Sequence, residues 1–419
     1  MYALIDANNF YVSCERAFNR KLSNVPVLVL SNNDGCVISR SQEVKNLGIK
    51  MGEPFFKIQS IVEKNNVVVF SSNYELYGDM SHRLHQILRE FSPEVEIYSI
   101  DEAFIRILPL QNGMNYLQYA KNIKNTISQY LSLPVGIGVG RTKTLSKIAN
   151  HLAKKSEGIC ILDSEEKENT ALKSTPIEEV WGIGRQYSKF LRKKIINTAW
   201  DFIQMPESWI LKNMTKVGLK TLQELKGFPR IDLEEVRPKK QGIATTRSFS
   251  QKTDDFANVQ EAIATHASRC SEKLRRQNSI ATYLTVFIHT DPFAEHDSQY
   301  YNSKTLALPI PTNSQLEIVK FALKALNLIF EKGFYYKKAG VIVTELMDEN
   351  SVQGNLFYEF DTTKHSNLMG KLDEINKKYG KDTVKLAIMG QNKKWQLKRE
   401  YLSPRYTTNW DEIIEVKAE

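Results

Sequence analysis

Val95-Glu96-Ile97-Tyr98-Ser99-Ile100-Asp101-Glu102-Ala103-Phe104-Ile105 is an apolar, strand-like run with two adjacent carboxylates at its centre. A third carboxylate, Asp6, ends the opening run Met1-Tyr2-Ala3-Leu4-Ile5. Charges set into such runs lose their water, and an unpaired one costs several kcal/mol or more to bury. Something cationic is therefore expected among them. Hard oxygen ligands suit Mg²⁺, and two such ions about 4 Å apart are a common engine of phosphoryl transfer. Adjacent strand residues point to opposite faces, so Asp101 and Glu102 share one site only if a turn or bulge bends the backbone there. Read alone, the run is equally a surface hairpin with an acidic tip.

Around it, short strands alternate with helices. Residues 1–6, 26–30, 36–39, 67–70 and 135–139 read as strands, and Asn32-Asn33-Asp34-Gly35 as a turn. Helices are expected near 8–18, 41–47, 77–91 and 116–131, and one with Leu145, Ile148 and Leu152 on a stripe. This is an α/β layer. Past Ser174 the texture changes to short helices punctuated by glycine, and residues 232–241 read as a polar linker. A second α/β unit follows, with strands near 244–249, 279–289, 304–308 and 339–346 and helices near 257–275 and 314–331. The sequence thus predicts a multidomain α/β and α+β protein.

Bulk properties agree. A chain of 419 residues exceeds one ordinary core, so about two to four domains are expected. No apolar run reaches the ~18 residues of a membrane span, and no secretory signal is evident, so no membrane association is expected. Cys14, Cys36, Cys160 and Cys270 match neither a zinc spacing nor a disulfide framework and read as reduced, buried thiols of a cytoplasmic protein. The net charge is +9, and it is uneven: residues 1–100 hold 10 basic and 11 acidic side chains, the remainder 47 and 37. A near-neutral block followed by a basic one suits an active site joined to a polyanion-binding surface.

Asp6-x-Asn8-x-Phe10-Tyr11, then Tyr98-Ser99-Ile100-Asp101-Glu102-Ala103-Phe104, resembles the pattern of the Y-family, the translesion DNA polymerases. Gly35 to Gly48 with Lys50-Met51-Gly52 is similar to that family's fingers, and Val139 to Ala149 with Leu152-Ala153-Lys154 to its palm helix. The tail from Leu386 to Thr408 resembles an extra C-terminal module found in one branch. The likeness spans essentially the whole chain.

The resemblance implies a right-hand polymerase. Its palm would be 1–19 and 79–168, its fingers 20–78, and its helical, helix-hairpin-helix thumb 169–231. A linker at 232–241, a little finger at 242–348, and a clamp-binding tether with the C-terminal module at 349–419 would complete it. The implied reaction is template-directed deoxynucleotide transfer, error-prone, in SOS repair and mutagenesis. Asp6, Asp101, Glu102 and the Ala7 carbonyl would hold two Mg²⁺ ions, with Mn²⁺ as a substitute. Tyr11 would be the steric gate that excludes a 2′-hydroxyl by clash. Ser39, Gln42, Lys45 and Lys154 would contact the dNTP, and Cys36 and Ile38 would cover the nascent base pair. Gln42 and Lys45 depart from the Tyr and Arg of many relatives, which costs the guanidinium fork and leaves the role of Gln42 open.

Val180-Trp181-Gly182-Ile183-Gly184-Arg185 has the look of a helix-hairpin-helix, where Gly182, Gly184 and Arg185 would meet DNA phosphates; Val217-Gly218-Leu219-Lys220 is a weaker second copy. Arg237, Lys239, Lys240, Arg247 and Lys252 cluster at the start of the little finger and are expected on phosphates as well. Gln353-Gly354-Asn355-Leu356-Phe357 looks like a peptide that docks on the sliding β-clamp through Gln353, Leu356 and Phe357. Primer-template DNA, a processed UmuD dimer and a RecA filament are the other implied partners, and the implied location is cytoplasmic and nucleoid-associated. Two rivals use part of the pattern. A nucleotidyl cyclase would need no thumb, basic second unit or clamp peptide, and an accessory factor that had lost catalysis would lack a carboxylate.

Overall fold

Strand β1 (Tyr2–Ala7) alternates along its length. Ala3, Ile5 and Ala7 enter a core formed with the helices Tyr74–Phe91 and Tyr116–Leu131, which leaves Leu4 and Asp6 for the opposite face. In the computed structural model, which describes residues 1–110, 114–236, 238–294, 296–351, 362–391, 395 and 397–415, β1 lies at the centre of a five-stranded sheet. The other strands are numbered in chain order: β2 (Val27–Leu30), β3 (Val37–Arg40), β4 (Val68–Ser71), β5 (Val95–Ile97), β6 (Glu102–Arg106), β7 (Val135–Gly140) and β8 (Ile159–Ile161). The sheet order is β5-β6-β1-β7-β8, and β1 runs antiparallel to both neighbours. The helix Lys143–Ala153 covers the face that carries Asp6 and Glu102. It lies directly on β7 because Gly138 has no side chain: a Cβ there would sit 2.0 Å from the backbone nitrogen of Asn150.

The small sheet β3-β2-β4 lies within the segment expected to form the fingers, with Leu28, Leu30, Val37, Val44 and Ile58 as its core. Its helix Phe55–Lys64 and the edge strand β8 are elements that the sequence reading passed over. The region after β8 is helical: Glu165–Ser174, Arg185–Arg192, Ala199–Ile203 and Glu207–Leu225 pack around Leu172, Leu191, Phe202, Ile210 and Leu222. Leu145 and Ile148 of the palm helix join that cluster, which accounts for their stripe. The last of these helices breaks at Thr215 (φ 62°, ψ −173°), so Gly218 lies in a helical segment against Met214 rather than in a turn.

The chain divides into two units, Met1–Arg237 with Glu400–Glu419, and Pro238–Arg399. The second unit holds an antiparallel sheet of β9 (Gly242–Thr253), β10 (Ser279–His289), β11 (Tyr301–Thr312) and β12 (Tyr336–Asp348), in the order β11-β10-β12-β9. The helices Phe256–Arg276 and Gln315–Ile329 cover one of its faces. The C-terminal stretch is shared between the units. Up to Arg399 it packs on the second, through the ion pair Arg275–Asp373 and the buried side chains of Met389 and Trp395. From Glu400 it belongs to the first. All four cysteines are unpaired thiols, with Cys14 and Cys270 buried. No helix among the described residues is long and apolar enough to cross a membrane.

Candidate active site

Asp6 and Glu102 are register partners across β1 and β6, and they share a hydrogen bond. Asp101 does not sit in a strand. β6 begins at Glu102, and the chain turns at Ser99–Asp101, where the Tyr98 and Ser99 N–H groups both donate to the Glu102 carbonyl. That turn is the bend the sequence required. It brings the Asp101 carbonyl to the Ala7 N–H (2.9 Å), while the Ser99 hydroxyl donates to the Asp101 carboxylate (2.5 Å).

Lysines from the palm helix cover the carboxylates. Lys154 Nζ donates to Asp6 Oδ2 (2.7 Å) and Lys147 Nζ to Glu102 Oε2 (3.0 Å). Burial, then the hydrogen bond with Glu102, pushes the Asp6 carboxyl up to about 7 against the pull of Lys154. Burial also opposes ionisation of Glu102, but the bond from Asp6 and the Lys147 ammonium hold it below the usual carboxylate range. Among the described residues no group of three or more His, Cys, Asp or Glu side chains is arranged to hold a metal ion, and Lys154, Lys147 and Ser99 donate to the carboxylates of Asp6, Glu102 and Asp101. The donor set nonetheless fits a hard cation. Adjacent carboxyl oxygens are hard donors, and a bound cation would favour ionisation of both groups.

Lys147 and the buried pair Lys143–Glu96 (2.5 Å) were missed as site residues. Their signal lies in the spacing: Lys143, Lys147, Asn150 and Lys154 recur at helical intervals on the side opposite Leu145 and Ile148. Lys143 meets Glu96, Lys147 meets Glu102, Asn150 donates to the Leu4 and Gly136 carbonyls, and Lys154 meets Asp6. Tyr98, Phe104 and Trp181 pack beside this row, and Lys147 Nζ lies 4.3 Å from the Tyr98 ring centre. Trp181 also donates to the Tyr98 hydroxyl (3.1 Å), which ties the helix-hairpin-helix segment to the acidic turn.

Tyr11, on the helix Phe10–Phe18, stacks on fully buried Tyr77 (4.6 Å between ring centres, 24°) and meets Tyr74 edge-on. Burial, with Tyr74, Asp101 and Cys14 nearby, pushes its phenol up to about 12, so it stays neutral. From the fingers, buried Ser39 accepts a hydrogen bond from the Val12 N–H (3.4 Å). Burial lowers the Lys45 ammonium, and so do Arg40 and Lys154 beside it. Arg40, which donates to the Ile49 carbonyl, is a neighbouring cation that the sequence reading did not assign. Gln42 is exposed and donates to Asn46 (3.0 Å), away from this group. Cys36 immediately precedes β3 and Ile38 is its second residue, and both are half-buried.

In the hairpin of the thumb, Gly182 takes a positive φ of 90°, and Gly184 precedes the helix Arg185–Arg192 without a side-chain cap, so the first N–H groups of that helix are open. In the second unit Lys239 pairs with Asp348 (2.9 Å) and Lys252 with Asp297 (2.5 Å), and Lys240 is exposed. Arg247 is opposite Ala339, which puts it on the helix-covered side of the edge strand, beside Arg269 and His266. Arg237, Gln353, Leu356 and Phe357 lie outside the described residues.

A sheet that presents a carboxylate pair under a lysine row, with fingers that supply cations and a neutral aromatic platform, is the arrangement of a right-hand polymerase. The model of the impB/mucB/samB family matches residues 5–151, that of the family's C-terminal domain residues 240–356, and a domain of unknown function residues 366–416. Protein UmuC of Salmonella typhimurium strain LT2 is 41% identical over 423 residues, covering 100% of both chains. Protein ImpB of Salmonella typhimurium is 39% identical over 420 residues and 99% of both. DNA polymerase IV of Clostridium acetobutylicum is 24% identical over 355 residues, covering 85% of this chain and 87% of its own. Among solved structures, a Y-family DNA polymerase chimera of Dbh and Dpo4 superposes with a TM-score of 0.65 at 18% identity, over 83% of this chain and 99% of its own, a likeness of fold. The chain belongs to the impB/mucB/samB family of Y-family, UmuC-like DNA polymerases. Membership implies a divalent metal cofactor.

Proposed function

We infer that this protein is a template-directed DNA polymerase that performs translesion synthesis, with Asp6, Asp101 and Glu102 at its nucleotidyl-transfer centre. The observation that carries this reading is the Asp6–Glu102 pair, held across β1 and β6 with the Asp101 turn hydrogen-bonded to Ala7. Asp6, Asp101, Glu102 and the Ala7 carbonyl would hold two Mg²⁺ ions, which Mn²⁺ could replace. When bound, these activate the primer 3′-hydroxyl and neutralise the triphosphate and departing pyrophosphate.

The chain's own residues do the rest. Lys154, Lys45 and Arg40 neutralise the triphosphate, and Ser39 orients it. Tyr11, backed by Tyr77, leaves no space for a 2′-hydroxyl. Cys36 and Ile38 cover the base pair with small apolar surface, a loose fit that tolerates damage and discriminates weakly. Gly182, Gly184 and Arg185 present N–H groups and charge to a DNA phosphate, as do Lys239 and Lys240 in the little finger. Arg247, exposed on the helix-covered side of β9, is assigned to a phosphate with them.

The domain boundaries expected from the sequence remain part of this reading. So do the partners: the sliding β-clamp through Gln353, Leu356 and Phe357, a processed UmuD dimer and a RecA filament, in SOS mutagenesis in the cytoplasm at the nucleoid. Primer extension tests it. With Mg²⁺, four dNTPs and these partners, the protein should lengthen a primer opposite intact and abasic templates, whereas no extension on either would reject it.

A further inference from the structure

Beneath Tyr11 runs a buried chain of hydrogen bonds that ends in the C-terminal tail. Tyr77 OH donates to Glu15 Oε1 (2.6 Å), and Ser403 Oγ donates to the same oxygen (2.9 Å). Asn73 Nδ2 in turn donates to Ser403 Oγ (3.0 Å), to the Ser403 carbonyl (3.1 Å) and to the Pro404 carbonyl (3.2 Å). Asn73, Glu15, Tyr77 and Ser403 are all buried. Of these, Ser403 lies 388 positions from Glu15 in sequence.

The tail is seated on both sides of that contact. Tyr401 and Ser71 exchange bonds, its N–H to the Ser71 hydroxyl (3.0 Å) and the Ser71 N–H to its carbonyl (2.9 Å). The Glu400 N–H donates to Asp34 (2.9 Å), and the Tyr406 ring stacks on Phe18 (5.0 Å, 10°). Such a segment orders its neighbours by filling their bonding capacity, and a buried carboxyl that accepts from two hydroxyls has little freedom to turn. Glu15 and Tyr77 are therefore held in place by the tail.

We propose that the tail segment Glu400–Tyr406 is a strap that positions the sugar gate, with Ser403 locking the Glu15–Tyr77 pair on which Tyr11 rests. This gives a role to part of the region whose family model is a domain of unknown function, and it rests on Tyr11 being the gate. Ser403 is a positioning residue, since it reaches the substrate only through Glu15, Tyr77 and Tyr11.

The test compares kcat/KM for a deoxynucleoside and the matching ribonucleoside triphosphate on one primer-template, under conditions in which the unaltered protein extends it. Ser403→Ala should lower the preference for deoxyribose by about fivefold, mainly through a lower ribonucleotide KM, with deoxynucleotide kcat unchanged. Ser403→Thr, which keeps the hydroxyl, should restore the preference. Asn73→Ser keeps a cap for the helix Tyr74–Phe91 but cannot reach the tail. It should reproduce the loss and so covers the case in which Ser403→Ala fails to fold. Tyr11→Ala is the control. If it alone relaxes sugar selection and the two tail variants do not, the strap is rejected and the gate stands. If Tyr11→Ala leaves selection intact, the gate reading itself is wrong. Equal loss of both substrates in the tail variants would mean a general structural role and would also reject the strap.

Discussion

Lys154 Nζ lies 2.7 Å from Asp6 Oδ2, so the palm helix lays its last cation on the carboxylate that ends β1. The same ammonium also stands near Lys45. Without substrate it therefore balances Asp6, and with a triphosphate present it has a second anion within reach.

Lys154→Met should accordingly raise the KM for every dNTP by about tenfold or more, with a smaller fall in kcat, because it removes a charge-assisted contact. Steady-state incorporation with each dNTP checks this. A fall in kcat alone would place Lys154 elsewhere.

The buried pair Lys143–Glu96 predicts a stability effect without a catalytic one. Lys143 also donates to the Asp232 carbonyl (3.1 Å), and Glu96 accepts from the Glu234 N–H (3.0 Å). Lys143→Met strands a buried carboxylate and should cost about 3 kcal/mol, whereas Lys143→Met with Glu96→Leu should recover part of that loss. Urea denaturation of the single and double variants reads both values.

Glu15 predicts a pH dependence. Burial pushes its carboxyl up to about 7, against the pull of the Tyr77 and Ser403 hydroxyls, from an ordinary value of 4.5. The folded chain therefore binds a proton that the unfolded chain releases. The stabilisation is complete below about 4.5 and is lost as pH rises through about 7. Glu15→Gln still accepts from both hydroxyls but has no proton to lose. Relative to the unaltered protein it should gain up to about 3 kcal/mol between pH 5 and pH 8. Parallel stability curves across that range would contradict the assignment.

Much of this was legible from the chain. The alternation that buries Ala3, Ile5 and Ala7 and leaves Asp6 on the other face follows from β periodicity. The need for a bend at Asp101 follows from two adjacent carboxylates having one task. The strands and helices of the second unit fall where their patterns placed them, although β9, β11 and β12 run longer because edge residues outside the apolar stretch still pair. The helix Phe55–Lys64 was less visible, since it buries only Ile58 and Val62 fully and opens behind Pro54. The lysine row of the palm helix was written in its spacing, but each lysine alone reads as a solvated charge. The seat of Ser403 on Glu15 could not be read at all, because no local pattern records a contact across 388 positions.

Single-turnover incorporation by Asp101→Asn tests the central claim most directly. The substitution keeps the side chain's shape and the Ala7–Asp101 backbone bond but removes the charge. Nucleotide addition should fall by at least about a thousandfold, with primer-template affinity and thermal stability unchanged. Addition at the rate of the unaltered protein would show that these carboxylates are not the transfer centre.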